Sequence, residues 1–232
     1  MEKIDIGIIG AMDSEVKTLI SLLENKREEK IGSVLFNRGT LFGKEVAIAK
    51  CGIGKVFAAI AAEAMIISYS PDLIINTGVG GAVGSGISVT DVVVADKLVQ
   101  YDMDTSAIGD PVGLVSGINV IYFETDKRAV EIARDAAISV GVKAHVGTIA
   151  TGDRFVSQSE EKARLSGLFG AYACEMEGAA IAHTAYVNDT PVVVIRAISD
   201  SADEESSMDY MEFLPIAAKN STEITLALVK QY

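Results

Sequence analysis

The sequence predicts one α/β domain over residues 1–232, built as three layers: a central mixed, largely parallel sheet flanked by helices. Strand-like and helix-like segments alternate from end to end, with no linker, repeat or low-complexity tract between them. Several runs, among them "DLIINTG", "DVVVADKLV" and "PVVVIRAISD", are continuously apolar, as strands covered on both faces are. The chain has 232 residues and is 49% hydrophobic, enough for one large core.

The elements follow in order. "IDIGIIG" is a short apolar strand, and "DSEVKTLISLLEN" after it carries a helical stripe at Val16, Leu19, Ile20, Leu22 and Leu23. "SVLFNRGTLFGKEVAIAKCG" is a hairpin turning near Gly43. "GKVFAAIAAEAMIISYS" is a small-residue helix that Pro71 stops, and "DLIINTG" and "DVVVADKLVQYD" are buried strands. "DMDTSAIGDPVGLVSGIN" is rich in turn formers without periodicity, so it is expected to be a long functional loop. "TDKRAVEIARDAAISVG" is an amphipathic helix with Thr125 or Asp126 as its cap. "KAHVGTIATGD" is a strand, "SQSEEKARLSGLF" a helix, and "AYACEME" a strand running into "GAAIAHTAYVN". "PVVVIRAISD" is the last strand, and a closing helix contains Pro215, a point where it is expected to kink.

Composition excludes several function classes. The net charge of −12 argues against nucleic acid as a partner, because phosphate contacts need clustered Lys and Arg. The two cysteines, Cys51 and Cys174, are far apart and are expected to be buried thiols in a reducing compartment. Two histidines without metal-ligand spacing make a zinc site unexpected, while a carboxylate-bound magnesium stays open. The N-terminus lacks a signal-peptide layout and no apolar run reaches membrane length, so a cytoplasmic protein is expected.

"NTGVGGAVGSG" follows a strand, but its glycines are not spaced as GxGxxG and an extended pattern, not a helix, comes next. A dinucleotide fingerprint needs a helix N-terminus facing the pyrophosphate. The run is better suited to a glycine-lined turn where backbone approaches a flat ligand. No P-loop is present.

Acidic residues follow buried strands at several points. Glu15 lies one turn past the first strand, Glu175 and Glu177 close "AYACEME", and Asp200 ends a strand that also carries Arg196 and Ser199. Each alone could be a helix cap or a solvated group. In a parallel sheet, however, these ends converge on the edge where ligands bind. Glu175 and Glu177 would share a face if both stayed in the strand. One could then cap the following helix. The other needs a reason for its charge, such as a sugar hydroxyl.

"GIIGAMDSEV", "SYSPDLIINTG", "TGDRFV", "CEMEGAAIAH" and "RAISDSAD", in that order, resemble the 5′-methylthioadenosine/S-adenosylhomocysteine nucleosidases of the nucleoside phosphorylase/hydrolase fold. The resemblance implies a hydrolase of the N-glycosidic bond of an adenine nucleoside, needing no cofactor or metal. It implies Asp200 as the acid that protonates purine nitrogen-7, Ser199 as its orienting partner, and Glu15 as the group that holds or activates water, with Arg196 nearby. Glu177 would bind ribose hydroxyls, Met176 pack on the sugar, and Phe155 stack on adenine, whose edge the Val156 backbone reads. Glu175 would join the ribose or water network. Met12, Val79, Thr105 and Tyr210 would line the remaining pocket. The resemblance also implies a homodimer whose partner chain completes the 5′ pocket through Ile53 and the loop near Ile108.

The physics suits these roles. Adenine leaves once a proton neutralises its developing charge, so the acid must stay protonated near neutral pH. Burial of Asp200 beside "VVVIRAIS" is expected to provide that. Carboxylates would stabilise the positive anomeric carbon and polarise water. The family's usual Ser-Ala-Gly-Gly is replaced by Val79-Gly80-Gly81-Ala82, its 5′ loop by "YDMDTSAIGDP", and a usual phenylalanine by Tyr210. These departures bear on the 5′ substituent more than on adenine. Two alternatives remain: a purine nucleoside phosphorylase, which would need a basic anion site where Glu15 stands, and a nonenzymatic nucleoside binder.

Overall fold

Among the described residues, ten strands share one sheet. The structure, a computed structural model, describes residues 3–200 and 206–232; in the last helix, side chains are described from Met211 onward. The order is β1 (Ile6–Gly10), α1 (Asp13–Ser21), β2 (Glu24–Ile31), β3 (Val34–Leu41), β4 (Lys44–Lys50), α2 (Lys55–Tyr69), β5 (Leu73–Ala82) and β6 (Val92–Gln100). A single 3-10 turn (Ser106–Ile108), β7 (Tyr122–Glu124), α3 (Lys127–Ser139), β8 (Ala144–Thr151) and α4 (Ser159–Phe169) come next. The chain closes with β9 (Ala171–Glu175), α5 (Gly178–Val187), β10 (Val192–Asp200) and α6 (Ser206–Gln231).

The expectation of a largely parallel sheet between flat helix layers is corrected. Among the described residues, β1–β4, β1–β5, β5–β10, β6–β8 and β8–β9 pair parallel. As many pairings, β2–β3, β3–β4, β5–β9, β6–β7 and β6–β10, are antiparallel. β5, β10, β6, β8 and β9 close into a barrel-like ring, from which β1, β4, β3 and β2 extend. The physical reason lies in β5. Its first half pairs with β1, from Leu73 to Asn76, and its end pairs with β9 at Gly81 and Ala82. A long strand with a glycine-rich end can curl far enough to change neighbours. Between those two partners the edge of β5 is left open at residues 77–80.

The apolar runs owe their continuity to burial on both faces. Val93 and Ala95 of β6 meet one hydrophobic cluster, Val92 and Val94 the other. α2 and α5 cover the first with alanines such as Ala58, Ala62, Ala179 and Ala182, while α1, α3 and α6 cover the second with Val16, Leu19, Ala133 and Leu228. A third, smaller cluster under α4 contains Leu165, Phe169 and Cys174.

Two strands were not anticipated. β2, "ENKREEKI", is charged and exposed along its length, so it lacks the alternation that marks a strand. Its edge position explains the charge, which discourages pairing with other chains. α1 accordingly stops at Ser21, short of the stripe that suggested Asn25. β7 has only three residues. α2 ends at Tyr69, where Ser70 is left-handed and donates to the Ile66 carbonyl at 2.9 Å. Pro215 lies inside α6, which continues through it. Among the described residues, no helix is long and apolar enough to cross a membrane.

Asp126, not Thr125, caps α3: its carboxylate accepts from the Ala129 amide at 2.7 Å, while Thr125 Oγ1 donates to the Ala95 carbonyl at 2.6 Å. Replacing Asp126 by Ala is expected to cost about 1 kcal/mol. Thermal denaturation should show this as a melting point lower by about 2–4 °C.

Candidate active site

The open stretch of β5 forms the floor of a cavity of about 260 Å³. Val79, Gly80 and Gly81 of β5, Met12 and Glu15 beside β1, Glu175, Met176 and Glu177 at the β9–α5 junction, and Ser199 and Asp200 at the end of β10 all line it. Ile53, Phe155 and Val156 add to the wall, with Ile53 and Phe155 about half exposed; Ile53, expected from a partner chain, is corrected to a lining residue of this chain's own cavity.

Glu15 is in the first turn of α1 and turns back over the helix end. Its Oε2 accepts from the amides of Ala11 at 2.7 Å and Met12 at 2.9 Å, and its Oε1 from Val79 at 3.1 Å. The Val79 amide is available because that edge of β5 carries no neighbouring strand there. Burial pushes the Glu15 carboxyl above its ordinary value; the Arg196 charge and the three amides oppose this.

The two glutamates of "CEME" have separate tasks. β9 ends at Glu175, so the pair does not share a strand face. Glu175 accepts from the amides of Glu177 at 3.0 Å and Gly178 at 2.6 Å, from Thr151 Oγ1, and from Arg196 Nη2. It caps α5 and neutralises the arginine. Glu177 takes a different direction. Its Oε1 accepts from the Gly54 amide at 2.9 Å, and its Oε2 lies 3.9 Å from Arg196 Nη2. Burial first, then the charge of Glu175, pushes its carboxyl up to about 7 against the pull of Arg196.

Arg196 stands behind the cavity wall, fully buried in β10. Its Nη2 donates to Asn76 Oδ1 at 2.6 Å and its Nη1 to the Ile195 carbonyl at 3.0 Å. Asp200 sits just past a register shift in the β5–β10 pairing, which makes Ser199 a bulge and turns the next side chain toward the cavity. Ser199 Oγ donates to Asp200 Oδ1 at 3.0 Å. Asp200 is buried as expected, but a cation lies beside it as well: Lys162 of α4, 1% exposed, places its Nζ 3.4 Å from Oδ2. The sequence does carry a signal for this lysine. Lys162, Leu165 and Phe169 form the buried stripe of α4, so the lysine occupies a core position.

The glycines of β5 allow these groups to approach. A Cβ on Gly78 would stand 2.6 Å from Glu15 Oε1, and one on Gly81 would stand 2.7 Å from Asp200 Oδ2. The run is strand as far as Ala82, where a turn was expected, and turns only at its end, where Gly86 is left-handed; the strand part brings bare backbone to the cavity. Arg154 and Cys174 also line the cavity and were not anticipated. The Cys174 thiol is pushed up to about 12 by burial and the charge of Asp200, and so is a neutral wall group.

Other expected residues lie elsewhere. Thr105 donates to Asp110 Oδ2 at 2.8 Å in the loop after β6, and Ile108 is 82% exposed; neither lines the cavity of a single chain. Tyr210 lies outside the residues whose side chains are described. Among the described residues, no group of three or more His, Cys, Asp and Glu is arranged to hold a metal ion.

Comparison with known proteins agrees with this geometry. Residues 5–230 match the family described as the phosphorylase superfamily. A 5′-methylthioadenosine/S-adenosylhomocysteine nucleosidase from Actinobacillus succinogenes is 39% identical over 227 residues, 97% of this chain and 98% of that protein. The nucleosidase of Neisseria meningitidis, solved with methylthio-immucillin-A, superposes with a TM-score of 0.94 at 39% identity, covering 98% of this chain and 99% of that one. A futalosine hydrolase of Helicobacter pylori superposes with a TM-score of 0.93 at 33% identity, covering 98% of each. The mixed sheet, the carboxylate-lined cavity and near-complete coverage by these relatives lead to one conclusion: the chain belongs to the 5′-methylthioadenosine/S-adenosylhomocysteine nucleosidase family of the phosphorylase superfamily.

Proposed function

We propose that the protein hydrolyses the N-glycosidic bond of 5′-methylthioadenosine and S-adenosylhomocysteine, with 5′-deoxyadenosine as a further candidate, releasing adenine. One observation carries the choice of water over phosphate. The amides of Ala11, Met12 and Val79 form an anion-binding cradle, and Glu15 fills it with a carboxylate of the protein itself. A phosphate there would meet repulsion, whereas a water molecule would meet an acceptor. Burial makes that acceptor more basic, as a water-activating group requires.

The remaining roles we assign to match. Asp200 gives its proton to nitrogen-7, the C1′–N9 electron pair withdraws into the purine, and water deprotonated by Glu15 adds to C1′. Glu177 accepts the ribose hydroxyls and, with Glu15, offsets the positive charge at C1′. Phe155 and Val156 hold the base, Met12, Met176 and Val79 the sugar, and Ile53 the 5′ end. Arg196 and Glu175 act from behind by fixing Glu177. Neither nucleic acid nor a membrane enters this scheme, nor does any cofactor.

We assign the working form to a cytoplasmic homodimer. Val56, Ile60 and Ile67 of α2 and Val187 of α5 present exposed apolar side chains on one face, and Ile53 at the cavity rim is also exposed. A second copy on that face would cover this patch. Its Thr105–Ile108 turn is our candidate for closing the 5′ pocket.

Incubation with methylthioadenosine in phosphate-free buffer should release adenine. Strict phosphate dependence would instead indicate a phosphorylase, and no turnover of any adenine nucleoside a binding protein. Relative turnover of methylthioadenosine, S-adenosylhomocysteine, 5′-deoxyadenosine and a futalosine-type nucleoside ranks the 5′ substituents. Asp200→Asn should lose about 100-fold or more in kcat yet keep nucleoside binding, measurable by calorimetry.

Glu177 gives a pH signature. Accepting two hydroxyls requires the carboxylate, and its carboxyl in the empty protein holds its proton up to about 7. Affinity of Asp200→Asn for methylthioadenosine should therefore weaken as pH falls from 8 to 5.5, approaching about ten-fold per unit below 7. Glu177→Gln should abolish that slope. Stability runs the opposite way. The folded protein binds this proton more tightly than the unfolded chain, so the contribution of Glu177 is full below about 4.5 and is lost as pH rises through about 7.

A further inference from the structure

Lysine is almost never fully buried without a partner, and an apolar residue at its place in a helix stripe would spare the cost of desolvating an ammonium. Lys162 is nonetheless 1% exposed, in line with Leu165 and Phe169, and its Nζ lies 3.4 Å from Oδ2 of Asp200, itself 2% exposed. Ser199 holds the other oxygen, Oδ1, at 3.0 Å, and its hydroxyl has a second acceptor in the Gly80 carbonyl at 3.4 Å. The two oxygens of one carboxyl thus face different partners: a fixed cation on one side, a rotatable hydroxyl on the other.

We propose that Lys162 is a positioning residue for the proton donor: its ammonium anchors Oδ2 of Asp200 and balances the negative charge that appears when the carboxyl gives up its proton. This rests on the assignment of Asp200 as the acid. The ammonium occupies the side of Oδ2, so the transferable hydrogen is assigned to Oδ1. In the step, the Oδ1–H bond breaks and the N7–H bond forms. The O–H electron pair stays on the carboxylate beside the ammonium, and the C1′–N9 pair enters the purine. Ser199, already donating to Oδ1 at 3.0 Å, keeps that bond as the charge develops. No reagent beyond the attacking water is required. The lysine acts on the departure of the base and not on nucleoside binding, so its effect belongs to kcat.

The test compares Lys162→Met, Lys162→Arg, Asp200→Asn and the double variant Lys162→Met/Asp200→Asn, each assayed for kcat and KM on methylthioadenosine and for thermal melting. Lys162→Met should lower kcat by about 100-fold while KM stays within about three-fold, and Lys162→Arg should recover at least about ten-fold of that loss. Adding Lys162→Met to Asp200→Asn should change the residual kcat by less than about two-fold, because the charge to be balanced is gone. A folded Lys162→Met with kcat within about three-fold of wild type, beside an inactive Asp200→Asn, overturns the proposal and leaves the acid assignment standing. So does a loss confined to KM, which would mark a merely structural lysine. Wild-type turnover in Asp200→Asn would remove the acid assignment itself. Should Lys162→Met not fold, Lys162→Arg decides: kcat within about ten-fold of wild type supports the role, and a loss as deep as that of Asp200→Asn overturns it.

Discussion

The buried ion pair between Arg196 and Glu175 is the constraint on which the site depends. Four carboxylates, Glu15, Glu175, Glu177 and Asp200, are gathered at one end of the barrel with little water to separate their charges. Arg196 is the cation among the first three. A pair buried so deeply contributes little net stability by itself, but removing one partner leaves an uncompensated charge at a cost of about 3–5 kcal/mol. The pair therefore acts as a geometric requirement. It ties β10 to the β9–α5 junction, while Asn76 ties the same guanidinium to β5.

That tie explains how a sheet opens into a carboxylate-lined cavity. β5 cannot stay paired with β1 along its whole length, because its end closes the ring with β9. The gap between these two partners is where Glu15 enters from α1, Glu177 from the β9–α5 junction and Asp200 from β10. Each acid comes from a different element, and each is held by backbone amides or a fixed side chain. Charge developing on a substrate would then meet oriented groups without reorganisation, which is the main source of electrostatic catalysis.

Much of this was legible in the sequence, and the failures have physical reasons. The strand-end acids stood out because charge next to continuous apolar runs demands an explanation, and all of Glu15, Glu175, Glu177, Ser199 and Asp200 line the cavity. Barrel closure was not legible. A strand covered on both faces looks the same in an open sheet and a closed one, and nothing in "LIINTGVGGA" says that β5 changes partners midway. β2 escaped notice because an exposed edge strand has no apolar face to give it a period. Lys162 escaped because a lysine between Glu161 and Arg164 resembles solvated surface, and only the spacing to Leu165 and Phe169 betrays its inward position. The division of labour in "CEME" turned on where β9 stops, a boundary that side-chain patterns fix only to within a residue or two.

The glycine row of β5 limits how this scaffold can diversify. A methyl group on Gly78 would meet Glu15, and one on Gly81 would meet Asp200, so a side chain at either position has to displace a carboxylate. The rim, where Ile53 and Phe155 meet solvent, has room to vary without disturbing those acids. Descendants of such a chain can diversify at the rim while the carboxylates beneath it stay in place.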